Sequence, residues 1–181
     1  MRKLFLVLAF VALVLGAKAQ ENAFSIKGGA GFAMLQDDTD ADLKLSWKFG
    51  LGYEFRLNDL IGIEPSLMIS NKGFKFKDDD YYHYDKTFNL LYAEVPVTCN
   101  FHLGDHWELA GGLYGAYLLN DNTESIFGNL RKFEIGTTAA AKYNFDCGLF
   151  LGLDGSVSAT SFQKDYRGRN SAFNVLVGFR F

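Results

Sequence analysis

The sequence predicts an all-β chain, an eight-stranded antiparallel up-and-down transmembrane β-barrel that follows a cleaved N-terminal signal peptide. Three observations carry this. Apolar and polar residues alternate in steps of two from Phe24 to Phe181. Each alternating run is about 10 to 15 residues long, and a tilted strand needs only about 9–11 to cross a bilayer. Short and long connections take turns between the runs, which is the layout of a membrane barrel.

Residues 1–19 read as an export signal. Arg2 and Lys3 precede an apolar run from Leu4 to Leu15, and Ala17-Lys18-Ala19 supplies small residues where a signal peptidase cuts. The run is too short for a spanning helix, which takes about 20 residues. Cleavage is expected after Ala19, leaving 20–181 as one barrel domain. A net charge of −3 gives no reason to expect a nucleic-acid partner. Nineteen glycines against two prolines suit long strands with tight turns, and the two cysteines, Cys99 and Cys147, make no disulfide framework.

Strand 1 is expected at 24–35 and ends in the acidic QDDTDADL. Strand 2, at 44–56, has the clearest pattern. Leu45, Trp47, Phe49, Leu51, Tyr53 and Phe55 share one face, and Ser46, Lys48, Gly50, Gly52 and Glu54 share the other. The tight LND leads to strand 3 at 60–71, and the long KGFKFKDDDYYHYDK leads to strand 4 at 87–101. LGDH then opens strand 5 at 106–118, and LNDNTESIFGNLR opens strand 6 at 132–146. Strand 6 repeats the pattern of strand 2, with Phe133, Ile135, Ala139, Ala141, Tyr143 and Phe145 against Glu134, Thr138, Lys142 and Asn144. DCG joins it to strand 7 at 148–159, and TSFQKDYRGRN joins that to strand 8 at 172–181. The short turns and both chain ends are expected on the periplasmic side, with the long loops outside.

A soluble barrel would turn the apolar face inward around a ligand. Two features point the other way. Aromatic residues gather at both strand ends: Tyr53, Phe55, Phe101, Trp107, Tyr143, Phe145, Phe179 and Phe181 near the short turns, and Trp47, Phe133 and Phe173 near the long loops. Girdles at these levels suit the headgroup regions of a bilayer. The polar face carries Lys27, Lys44, Lys48, Arg56, Lys142 and Arg180 with Glu54, Glu64, Glu94, Glu108, Glu134 and Asp154, a balance that lets charges pair inside a narrow lumen. A structural charge network is expected there, with Glu54, Glu64, Glu94, Lys48, Lys142 and Arg180 as its members. Eight strands leave room for little beyond side chains, so this lumen is expected to be plugged.

Strand 8 turns Phe173, Val175, Val177, Phe179 and Phe181 to one side and ends on an aromatic residue. Phe181, Phe179 and Phe173 are therefore expected to form the assembly signal that barrel-insertion machinery reads, while the strand pairs with strand 1. Outer-membrane lipid and lipopolysaccharide are the expected surroundings, and a protein partner is expected at the extracellular loops.

GIEPSLMISNKGFKF and LLYAEVPVTCNFHLG carry more than periodicity. Glu64, Pro65, Ser66, Leu67, Lys72 and Gly73, followed by Tyr92, Glu94, Val95 and Pro96, resemble the PorT-like outer-membrane β-barrel family of Bacteroidota. The resemblance implies an outer-membrane barrel and little about activity, although an accessory role in secretion or motility goes with it. Neither proline can donate to a ladder, so Pro65 and Pro96 are expected to mark a bulge or a local break.

No enzyme is expected. His102 and His106 flank a short turn and are expected to be solvated; His83, with Asp78, Asp79, Asp80 and Asp85, lies in the second long connection. The runs DDTDAD and DDD offer carboxylates to divalent cations without the spacing of an EF-hand, and no cofactor or metal is assigned.

Overall fold

The computed structural model describes residues 22–36, 41–76, 86–121, 130–163 and 166–181. Eight long strands run through them: β1 (Ala23–Gln36), β2 (Lys44–Arg56), β3 (Ile61–Phe76), β4 (Lys86–Leu103), β5 (Trp107–Asp121), β6 (Phe133–Asn144), β7 (Leu149–Gln163) and β8 (Tyr166–Arg180). A two-residue stretch, Ala41–Asp42, pairs with Phe76 and Lys75 ahead of β2. Every strand pairs antiparallel with its sequence neighbours, and β1 pairs with β8 from Ser25↔Arg180 to Gln36↔Arg169. The sheet closes on itself and leaves no edge.

The short turns gather at one end. Asn58 Oδ1 accepts from the N–H groups of Leu60 and Ile61 at 2.9 and 2.7 Å, and Gly104 and Gly148 take φ of 70° and 87°, which glycine adopts without a Cβ clash. Alternation then decides each face. Leu45, Trp47, Phe49, Leu51 and Tyr53 of β2 are exposed, whereas Lys44, Ser46, Lys48 and Glu54 are buried. The barrel is apolar outside and polar inside, as a bilayer solvent requires.

Pro65 and Pro96 interrupt the β3–β4 ladder, as their missing N–H groups demand. Its paired positions pass from Pro65↔Val97 to Met68↔Glu94 with the offset unchanged, so this is a local break without a bulge. The bulges lie elsewhere, between Leu91 and Tyr92 on the β4–β5 seam and beyond Val157 on the β7–β8 seam.

Several strands outrun the alternation that predicted them, most of them toward the long connections. β3 reaches Phe76, β5 reaches Asp121 and β7 reaches Gln163, while β8 starts at Tyr166, so most of the expected fourth loop is strand. The period of two continues there with its polarity reversed. Phe74, Phe88 and Leu90 are buried inside, and Lys75, Asn89 and Asn120 are exposed outside. Beyond the headgroups the outer face meets water and the lumen becomes the place to bury apolar surface.

Candidate functional site

The lumen holds the chemistry of this chain, in layers. Nearest the short turns, Glu54 Oε1 meets His102 Nε2 at 2.5 Å, and Arg180 Nη2 lies 3.2 Å from Glu54 Oε2 and 2.7 Å from Glu108 Oε2. Arg56 Nη2 contacts His102 Nδ1 at 3.1 Å. In the middle layer Lys142 Nζ bridges Glu108 (2.7 Å) and Glu64 (3.2 Å), Lys27 pairs with the other oxygen of Glu64, and Asn100 Nδ2 donates to Glu64 Oε2 at 2.9 Å. Beside it Lys48 pairs with Asp154, whose second oxygen accepts from Asn174 Nδ2 at 3.1 Å.

The third layer centres on Lys72. Its Nζ is 2.5 Å from Glu94 and 3.1 Å from Glu134, and it sits 4.4 Å from the centroid of the Tyr114 ring and 5.7 Å from that of Tyr92. Tyr114 Oη and Asn170 Nδ2 each donate to Glu134 at 2.8 Å, and Ser70 Oγ donates to Glu94 at 2.7 Å. Both carboxylates of this layer therefore have a cation and at least one neutral donor, the condition under which buried charge is tolerable.

Above these layers the lumen turns apolar. Leu35, Phe74 and Phe88 form one buried cluster, and Leu90, Tyr92, Tyr114, Ala116 and Leu118 another; Leu130 packs against both. The Phe74 and Phe88 rings lie 5.1 Å apart between centroids. The cavity left among Lys27, Lys48, Glu94, Tyr114, Lys142 and Asp154 measures about 50 Å³, room for a few waters.

The six network residues expected from sequence are all placed in this lumen: Glu54, Glu64, Glu94, Lys48 and Lys142 are buried, and Arg180 is half-buried at the end. Lys27, Arg56, Glu108, Glu134 and Asp154 of the expected polar face join them, whereas Lys72 and His102 were not expected there at all. Lys72 falls one residue past the expected end of strand 3, yet it keeps the even-numbered parity of Glu64, Ser66 and Ser70 that would have placed it inside. His102 was expected in solvent and is buried, because β4 runs on to Leu103 and carries it inward opposite Glu108; His106 is half-exposed beside Asp146. His83 and Asp78, Asp79, Asp80 and Asp85 lie outside the described residues, as do Asp37, Asp38 and Asp40.

Glu54, His102 and Glu108 bring three ligand-type atoms within 4.8 Å of one another, the one such group among the described residues. Arg180 already holds both carboxylates and Arg56 contacts the imidazole. A metal ion would have to displace those cations, so the donor set fits an ion-pair network better than a metal centre.

The outer surface completes the picture. At the short-turn end Tyr53 packs on Phe55 at 4.8 Å, Tyr143 on Trp107 and Phe145 at 5.2 and 5.0 Å, and Phe181 on Phe179 and Phe24 at 5.0 and 6.0 Å. Trp47, Phe133 and Phe173 are exposed toward the other end. An apolar belt between two aromatic levels, around a charged interior, is the architecture of a bacterial outer-membrane barrel. The sequence profile described as "Outer membrane protein beta-barrel domain" matches residues 18–164. The chain belongs to this outer-membrane β-barrel family.

Solved outer-membrane barrels share the fold. The attachment invasion locus protein Ail of Yersinia pestis is 18% identical with a TM-score of 0.52, the alignment covering 90% of this chain and 100% of Ail. Neisserial surface protein A is 13% identical with a TM-score of 0.60, over 89% of this chain and 100% of that one. The outer membrane enzyme PagL is 9% identical with a TM-score of 0.53, over 86% and 98%. A surface protein and an enzyme thus share one barrel architecture, and the fold alone does not choose between them. No curated protein matches the chain. This outer-membrane β-barrel protein resides in the outer membrane, and its lipid-facing belt meets that bilayer directly.

Proposed function

We propose that the protein is a PorT-like barrel without enzymatic activity, a sealed scaffold that holds its extracellular connections at the cell surface to meet ligands or neighbouring proteins. The observation that carries this is the double closure of the lumen, with paired charges through the lower layers and an apolar plug above them. The PorT-like part draws support from the motif residues, which share one region: Lys72 pairs with Glu94 under Tyr92, and Gly73 takes a φ of 131° where a Cβ would run into the Phe88 carbonyl oxygen. Membership of a secretion or motility assembly is the second reading, favoured by that resemblance.

In this reading residues 1–19 are the export signal and 20–181 the barrel domain. The network of Glu54, Glu64, Glu94, Lys48, Lys142 and Arg180 is structural, and Phe173, Phe179 and Phe181 form the assembly signal. The test has two arms: single-channel recording of the purified chain in planar bilayers, and photo-crosslinkers placed in cells at 78–85 and 122–129. Silent bilayers and loop-centred crosslinks are expected. Steady conductance, or crosslinks confined to the short turns, would overturn the proposal.

A further inference from the structure

At the short-turn end, which faces the periplasm, the lumen opens into a groove of about 430 Å³. Pockets that hold small ligands measure about 300–1,000 Å³. Arg56, Arg180, Asn22 and Asn144 line this one, and Phe145 and Phe181 add apolar surface. Asn22 precedes β1, Arg56 ends β2, Asn144 ends β6 and Arg180 ends β8. Residues from the whole length of the chain therefore meet here only because the sheet closes.

Behind this mouth the charges do not cancel. Arg56, Arg180, Lys142 and Lys27 share three carboxylates, Glu54, Glu64 and Glu108, in one connected group. His102 Nδ1 accepts from Arg56, so the imidazole adds no charge. One positive charge is left in surplus. The opposite imbalance, two carboxylates on Lys72, lies in the third layer, away from the mouth. Asp146 also lines the groove, but it is almost fully exposed and its Oδ1 lies 3.3 Å from His106 Nε2. Among the described residues neither Asp146 nor the carboxyl group of Phe181 pairs with either guanidinium.

The groove's polar groups have capacity left. Both arginines turn Nη2 inward, the Nε of each has no hydrogen-bond partner among the described residues, and the side chains of Arg56 and Arg180 are 25% and 17% exposed. Asn22 Oδ1 accepts from the Arg56 backbone N–H at 3.2 Å and keeps Nδ2 as a donor. Asn144 Nδ2 donates to the His106 carbonyl at 3.2 Å and keeps Oδ1 as an acceptor. A guanidinium takes a carboxylate through parallel N–H groups, and one spare donor with one spare acceptor beside it matches a peptide unit. A phosphate monoester carries about −1.5 to −2 charges, more than the surplus, and Glu54 and Glu108 stand behind the arginines to repel the excess. We infer that this mouth binds the free carboxylate at the end of a periplasmic peptide. Arg56 and Arg180 hold the carboxylate, and Asn22 and Asn144 hold the neighbouring peptide unit. The inference rests on the orientation of the barrel and not on the role of its extracellular connections.

The test is a titration of the chain, purified from outer membranes with ¹⁵N-labelled arginine and reconstituted in phosphatidylcholine nanodiscs. The probe is N-acetyl-Ala-Ala with a free carboxylate, read by NMR at the arginine Nε–H signals. The expected result is a saturating shift at Arg56 and Arg180 with none at Arg131, and no response to the same dipeptide as its amide. Arg56→Gln should raise the half-saturation read at Arg180 about tenfold. Heat-dependent gel mobility checks that the variant is folded. Arg56→Lys, which keeps the charge and loses the fork, serves if glutamine prevents folding, and a several-fold rise is then expected. An unsaturable response, an equal response to the amide, or unchanged half-saturation in the folded variant would overturn the inference. So would an equal response to inorganic phosphate, which would make the mouth a general anion site. Silent bilayers and loop-centred crosslinks could still hold in each of those cases.

Discussion

Replacing Lys72 with methionine tests whether charge pairing holds the lumen together. The side chain is 1% exposed, and methionine keeps most of its volume while removing the ammonium. Glu94 and Glu134, 4% and 3% exposed, would then face each other without their shared cation. Breaking one buried pair costs ~3–5 kcal/mol because the remaining charge is uncompensated. The neutral donors stay in place, with Tyr114 and Asn170 on Glu134 and Ser70 on Glu94, so the loss should not double. The expected destabilisation is about 4 kcal/mol, roughly a thousandfold in the folding equilibrium. Urea unfolding of the chain refolded in lipid vesicles, followed by tryptophan emission, measures it. Adding Glu94→Gln and Glu134→Gln should restore most of the stability by removing the orphaned charges. A loss below about 1 kcal/mol for Lys72→Met, or a triple variant no better than the single one, would refute the reasoning.

Two further outcomes are expected. Cys147, exposed in a short turn, should react with a membrane-impermeant maleimide only after the outer membrane is permeabilised, while Cys99 on the lipid-facing side stays unlabelled; labelling of Cys147 in intact cells would invert the orientation. Phe181→Ser should leave the refolded barrel heat-modifiable in detergent but lower its assembly in cells several-fold. Equal outer-membrane levels of the two chains would remove Phe181 from the assembly signal.

The fold was legible because a bilayer leaves few alternatives. A strand with Leu45, Trp47, Phe49 and Leu51 on one face and Lys48 and Glu54 on the other can satisfy its backbone in lipid only within a closed sheet. Strand number, connection order and the inward direction of the charges follow from that period and the connection lengths. Only the tertiary structure decided which charge meets which. Lys72 and Glu94 are 22 residues apart and Lys48 and Asp154 more than a hundred, and their meeting depends on strand stagger, which no local pattern encodes. The upper strands escaped notice for a related reason. Phe74, past the expected end of strand 3, keeps the alternation but faces inward, since its outer side meets water rather than lipid; read with one fixed sign, residues 72–76 look like loop. His102 was misplaced by the same edge effect at the other end, where two more residues of strand carried it from solvent to the side of Glu54. Sequence by itself determined the period of two and the balance of charge. The solvent on each side of each residue, and therefore the pairing and the plug, were set by where the closed sheet lies across the membrane.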